Sequence, residues 1–179
     1  MKAELLSMLC AKSMNLEISS GSHDAITPED IAHFLGTLNL KDEEYNFLLA
    51  KYTDSGQARE DLFEDIFVEC AEMFIKYKKN KEIKTDVLFL RKFINLALSE
   101  TIDATCPFCL GVGSVKTASG VDKCYHCNGT GQFIFDDNNR PAIMDIPKKT
   151  YLYFKRLYLD ILDKIKGIEV NALSKIGDD

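Results

Sequence analysis

Two blocks of the chain repeat one spacing of thiols and glycines: Cys106-Pro-Phe-Cys109-Leu-Gly111-Val-Gly113 and Cys124-Tyr-His-Cys127-Asn-Gly129-Thr-Gly131. Both read CxxCxGxG, and 14 residues separate Cys109 from Cys124. A tight turn in CxxC lets two thiolates reach one metal ion, and two such turns complete a tetrahedron. The first glycine of each block suits a backbone at positive φ, which turns amides toward the sulfurs. The second lets the chain leave the turn without steric conflict. Four soft thiolates in a closed shell favour Zn2+. The expectation is one structural Zn2+ ion on Cys106, Cys109, Cys124 and Cys127, with no open position for catalysis. A lone CxxC can also be a redox pair, and four thiols can form disulfides. The repeated glycine signature and the absence of a flanking strand–helix pattern weigh toward the metal. His126 lies between two of these cysteines; with four thiols completing the set, it reads as exposed and available to a phosphate. Cys10 and Cys70 fall in apolar helical patterns and read as small buried hydrophobes.

Helices are expected to position this segment. Thr27-Pro28 and an acidic first turn start one, with Ile31, Phe34, Leu35 and Leu38 on one face. Asp42 opens a second, with Tyr45, Leu48, Leu49 and Tyr52 as its apolar side, ending near Ser55-Gly56. The strongest periodicity spans 58–78, through Leu62, Phe63, Ile66, Phe67, Cys70, Met73, Phe74 and Tyr77. A further helix starts at Thr85 or Asp86 and carries Leu90, Phe93, Ile94, Ala97 and Leu98. The last carries Phe154, Leu157, Tyr158, Ile161, Leu162 and Ile165 and is expected to end at Gly167. The fold class is therefore mainly α: a helical domain (1–100), a zinc-binding knuckle or ribbon inserted at 101–137, and a C-terminal helical segment (138–179) packing back on the core. The insertion has few large apolar groups beyond Phe108, Phe133 and Phe135, so the metal is expected to supply its folding energy.

The 179 residues carry 22 Lys+Arg against 28 Asp+Glu, a net charge of −6 with a pI near 5.1. Read as a total, this argues against a nucleic-acid binder. By segment, residues 1–75 hold 5 basic and 15 acidic side chains, and residues 76–179 hold 17 and 13. The positive charge is concentrated at 76–92 and 148–166. Lys148, Lys149, Lys155 and Arg156, with Lys78, Lys79, Lys81 and Lys84 as a second patch, are the candidate DNA contacts; the alternative is that both runs are solvated helix faces. Arg156 is the best placed by chemistry to read a base edge, because its planar fork can pair with guanine. Tyr151 and Tyr153 serve either contact or packing. Residues 27–52 resemble a helix-turn-helix, but Asp42, Glu43 and Glu44 would face phosphates, which excludes a DNA-reading helix.

No run approaches the roughly 20 apolar residues of a membrane helix. Glu4 within MKAELLSMLC speaks against a signal peptide. With unpaired thiols, this places the chain in a reducing cytoplasm. No nucleophile–base motif, P-loop or dinucleotide fingerprint occurs, so neither enzyme activity nor a small-molecule substrate is expected.

The CxxCxGxG pair resembles the cysteine-rich region of DnaJ-type co-chaperones, which has four such repeats; two occur here, with no His-Pro-Asp tripeptide. Over roughly residues 60–165 the chain is similar to the lambdoid phage Q antitermination proteins. These have a helical part, two CxxCxGxG motifs around a short variable stretch, and a helical tail with an aromatic-basic pattern. The tail here reads Lys149-Thr150-Tyr151-Leu152-Tyr153-Phe154-Lys155-Arg156-Leu157-Tyr158. That resemblance implies a phage or prophage factor in the bacterial host cytoplasm. It would bind DNA near a late promoter and engage RNA polymerase, with or without its sigma factor, so that pauses and terminators are read through. The alternative function is a zinc-stapled protein-binding adaptor that never touches DNA.

Overall fold

The computed structural model describes residues 27–79, 86–106, 108–117 and 120–177. Among them are six helices and one two-stranded sheet: α1 (Pro28–Gly36), α2 (Asp42–Thr53), α3 (Gly56–Lys79), α4 (Val87–Ile102), β1 (Ser114–Thr117), β2 (Gly120–Lys123), α5 (Asn139–Ile143) and α6 (Lys148–Gly177). The protein is mainly α, with the four-cysteine stretch between α4 and α5 and a long C-terminal helix. No described helix is long and apolar enough to cross a membrane.

Local chemistry sets the helix starts. Thr27 Oγ1 accepts from the Asp30 amide at 3.2 Å while the Asp30 carboxylate accepts from the Thr27 amide at 2.9 Å. Such a reciprocal cap satisfies amides that the first turn leaves unpaired. Ser55 Oγ accepts from the Ala58 amide at 3.3 Å at the head of α3, and Asp86 accepts from the Phe89 amide at 3.1 Å at the head of α4. Asp54, in the left-handed region at φ 56°, terminates α2.

The chain divides into two compact units. One comprises residues 104–134 with the described residues 27–34; the other comprises residues 35–103 and 135–177 where described. In the second unit, α6 packs on α4, α2 and α3, and α3 packs on α2 and α4. Tyr151, Phe154, Tyr158, Ile161, Ile165, Ile168, Ala172 and Ile176 are all buried, in steps of three and four along α6. The stripe continues through Gly167, where the sequence reading ended the helix. Burying each larger apolar side chain contributes about 1.5–3 kcal/mol, which outweighs the ~1 kcal/mol glycine penalty. Phe89 joins the helices, with its ring 4.6 Å from that of Phe93 and 4.9 Å from that of Phe154.

On α2 the buried residues are Glu44, Phe47, Leu48, Ala50 and Tyr52, while Tyr45 and Leu49 are half-buried. The apolar side expected from the sequence was rotated, because it passed over Glu44. Packed between α3 and α6, α2 buries a wider arc than one stripe. Glu44 is 2% exposed, yet its carboxylate accepts from the Lys41 amide at 2.8 Å and from Lys175 Nζ at 2.6 Å. Burial raises its pKa, but the Lys175 and Lys41 hydrogen bonds outweigh burial and hold it below the ordinary 4.5. The folded state therefore prefers the carboxylate, so this stabilisation is present above pH 4.5 and disappears as pH falls through the depressed folded value. Glu44→Gln should cost about 1–2 kcal/mol at pH 7, since Lys175 is partly exposed. In urea titrations the difference from wild type should shrink as pH drops below 4.5; a difference unchanged with pH would contradict this.

Candidate metal centre

The two CxxCxGxG blocks fold into matching turns related by a local pseudo-twofold. The Cys106 amide donates to the Gly131 carbonyl at 2.8 Å, and the Cys124 amide donates to the Gly113 carbonyl at 2.8 Å. Within each turn, Val112 N–H donates to Cys109 O at 3.0 Å and Thr130 N–H to Cys127 O at 3.1 Å. Gly113 N–H points at Cys109 Sγ and Gly131 N–H at Cys127 Sγ, both at 3.3 Å. Sulfur-directed amides thus come from the second glycine of each motif and, at Cys127, also from Gly129, a first glycine of the kind the sequence singles out. Gly111 and Gly129 do adopt positive φ, 84° and 79°. The second glycines also meet the opposite turn. A Cβ on Gly113 would stand 2.5 Å from the Gly129 carbonyl oxygen, and one on Gly131 would collide with that of Gly111.

All four sulfurs lie within 4.8 Å of one another and all four cysteines are buried. Cys106 Sγ is 4.0 Å from Cys124 Sγ, and Cys109 Sγ is 3.7 Å from Cys127 Sγ. These separations exceed the ~2.05 Å of a disulfide, and the thiols are free. They fit a metal: a tetrahedral Zn–S bond of about 2.3 Å requires S···S distances of about 3.8 Å. Among the described residues this is the one cluster of ligand side chains so arranged. Without a cation the set cannot ionise fully. Burial foremost, reinforced by the neighbouring thiols against the Gly113 amide, pushes Cys109 up to about 11. At Cys127 burial also opposes ionisation, but the Gly131 amide, the neighbouring thiols and the Gly129 amide bring it down to about 6. A divalent cation removes this conflict by neutralising thiolates in place.

A β-hairpin fills the spacer between the turns, with Ser114 opposite Lys123 and Thr117 opposite Gly120. Val115 turns inward against the cysteines. This hairpin is not among the elements expected from the sequence, although the alternation Val115–Lys116 and Val121–Asp122 around Gly120 is a hairpin signal. Thr105 bridges Gln132, closing the base of the module.

Gly131→Ala should damage the module severely. The residue sits at φ 76°, and its added methyl would strike the Gly111 carbonyl. Strain at positive φ plus the collision should weaken metal binding by more than about 2 kcal/mol, roughly thirty-fold. Competition with a chromophoric chelator reads this directly; wild-type affinity would disprove the interlocked-glycine account.

The candidate DNA contacts divide on inspection. Lys149 is exposed, and Arg156 is 78% exposed, pairing with Asp160 at 3.0 Å. Lys155 donates to Asp137 at 2.5 Å and Lys148 donates to Asn138 at 2.7 Å, so both have partners within the chain. Lys78 and Lys79 lie on the last turn of α3. Their side chains, and all of Lys81, Lys84 and Cys10, fall outside the described residues. Tyr151 is fully buried and donates to Asp137 at 3.0 Å, which makes it a packing residue; Tyr153 is 42% exposed. Cys70 is buried, and burial pushes its thiol up to about 11. His126 is exposed, as expected, and stacks on Phe108. No family model, curated protein or solved structure matches the chain.

Proposed function

We propose that the chain is a transcription antitermination factor of phage or prophage type, acting in the bacterial cytoplasm. Cys106, Cys109, Cys124 and Cys127 would hold one structural Zn2+, whose role is to fold the segment between α4 and α5. The start of α6 would contact duplex DNA near a late promoter, and the bound protein would then engage RNA polymerase and carry it past pauses and terminators.

The observation that carries this reading is the paired CxxCxGxG centre followed in the chain by an outward stripe on α6. Lys149, Leu152, Tyr153 and Arg156 are spaced three and four apart and all exposed. Cations around an exposed aromatic suit a phosphate-lined groove. Exposed carboxylates on α2 and α3, among them Asp42, Glu60, Asp61, Asp65 and Glu72, would repel DNA from those helices and leave them to a protein partner.

The test is a promoter-plus-terminator transcription assay on phage late-promoter templates with purified polymerase. Read-through should rise with the protein. It should return to background with Lys149→Glu/Arg156→Glu, which should also weaken duplex binding at least about tenfold at unchanged zinc content. Wild-type duplex binding by the double variant would refute the α6 contact. Absent duplex binding with unchanged read-through would leave the adaptor reading in its place.

A further inference from the structure

The pseudo-twofold of the metal module relates positions whose chemistry differs. Phe108, Leu110 and Val112 of the first turn correspond to His126, Asn128 and Thr130 of the second, and all six are exposed. The first three are 53%, 80% and 68% exposed, so building the turn does not require their apolar character. Phe108 and His126 lie flat on one another, with centroids 3.4 Å apart and planes within 10°. Tyr125, 85% exposed, stands edge-on to His126 at 5.3 Å. The result is a preformed aromatic platform open to solvent.

The hairpin adds charge of one sign. Register places Lys116 opposite Val121 and Lys123 opposite Ser114, so both lysines leave the same face, while Asp122 leaves the other with Val115. The aliphatic stem of Lys123 crosses Gly129, which sets this basic face alongside the second turn.

We propose that this surface is a stacking site for unpaired bases of a single-stranded nucleic acid, with Phe108 and Tyr125 as the stacking rings and Lys116 and Lys123 meeting phosphates. Any base offers a π face to an exposed ring, whereas duplex bases are already stacked on each other. Asn128, exposed two residues after His126 in the same turn, offers an amide to a base edge. A metal held by four thiolates carries a formal charge near −2, so stacking rather than phosphate attraction must dominate. Two phosphate contacts predict a shallow salt slope, about −1.4 on a log–log plot. Flanking lysines and the polar second turn favour this occupant over an apolar peptide. DNA melted by a polymerase and nascent RNA share the chemistry. The inference goes beyond antitermination and uses residues separate from α6.

The test uses full-length, zinc-loaded protein carrying Lys149→Glu/Arg156→Glu, so that duplex binding through α6 does not contribute. Fluorescein-labelled octamers of dT and of U, and a duplex hairpin of similar charge, are titrated by anisotropy. At least one single strand should bind five times or more tighter than the duplex, and the tighter arm identifies DNA or RNA as the source. Tyr125→Ala and Phe108→Ala should each weaken that binding about five- to a hundredfold, and Tyr125→Phe should preserve it. Equal binding of duplex and single strands would overturn the proposal. So would unchanged affinity in Tyr125→Ala at full zinc content, the behaviour of a surface that docks protein instead.

Discussion

Cys124→Ser is expected to release the metal and unfold the described part of residues 104–134 while helices α2, α3, α4 and α6 stay folded. The first set has almost no apolar core of its own; Val115 is the hydrophobic packed against the four cysteines. Its order rests on the sulfurs, the interlocked glycines and a two-stranded hairpin, and a lone hairpin is marginal in water. Apparent metal free energies of ~10–16 kcal/mol in small zinc modules exceed anything these other contacts supply. The helical unit has its own continuous core, from Leu48 and Ile66 through Phe93 to Ile176. Hydrogen exchange should therefore show amides of Cys106, Val112, Cys124 and Thr130 losing protection, with α3, α4 and α6 unchanged. Retained protection at those four amides in the metal-free variant would show that the module folds without metal.

The second large effect lies in the helical unit, where the chain returns from the module. Arg140, at the start of α5, reaches Glu100 on α4 through two hydrogen bonds of 2.7 and 3.0 Å. Tyr158 of α6 donates to the same carboxylate at 2.7 Å, and the Arg140 guanidinium lies over the Tyr158 ring at 5.2 Å. Side chains 100 and 140 are only 13% and 12% exposed. Burial foremost, reinforced by the Glu100 carboxylate, raises the Tyr158 pKa, so the hydroxyl stays a donor. Glu100→Ala would leave Arg140 in a mostly dry site with only its longer Asp137 pair at 3.5 Å, a loss toward the lower end of the about 3–5 kcal/mol of an uncompensated buried charge. The double variant Glu100→Leu/Arg140→Met should recover at least half of that loss, because the buried charges leave together. Urea denaturation of the two proteins measures the difference. A Glu100→Ala loss below about 1 kcal/mol would mean that water reaches the guanidinium and solvates it.

What the sequence revealed depended on whether a feature repeats. The thiol spacing repeats, and it led directly to four sulfurs in one cluster. The three-and-four spacing of Leu62, Phe63, Ile66, Cys70 and Phe74 repeats, and those residues are buried. Single polar residues carried no such signal. Glu44 looked like a surface charge until α6 brought Lys175 to it from 131 residues away. Glu100 looked unrelated to Arg140 and Tyr158 because the module separates it from them in the chain. Asp137 takes up Lys155, a side chain the charge pattern assigned to DNA. Charge runs report composition, whereas availability is decided by partners that arrive through folding. Gly167 misled in the opposite direction, since a local breaker gave way to the buried Ile168, Ala172 and Ile176 beyond it.

The central claim is that two CxxCxGxG turns close on a single zinc ion and that this closure folds the module. X-ray absorption at the zinc edge of the purified full-length protein tests it most directly. One zinc per chain is expected, with four sulfur neighbours at about 2.3 Å and no nitrogen or oxygen bound to it. A shell containing nitrogen or oxygen, or a protein that holds no zinc and shows disulfides instead, would contradict it.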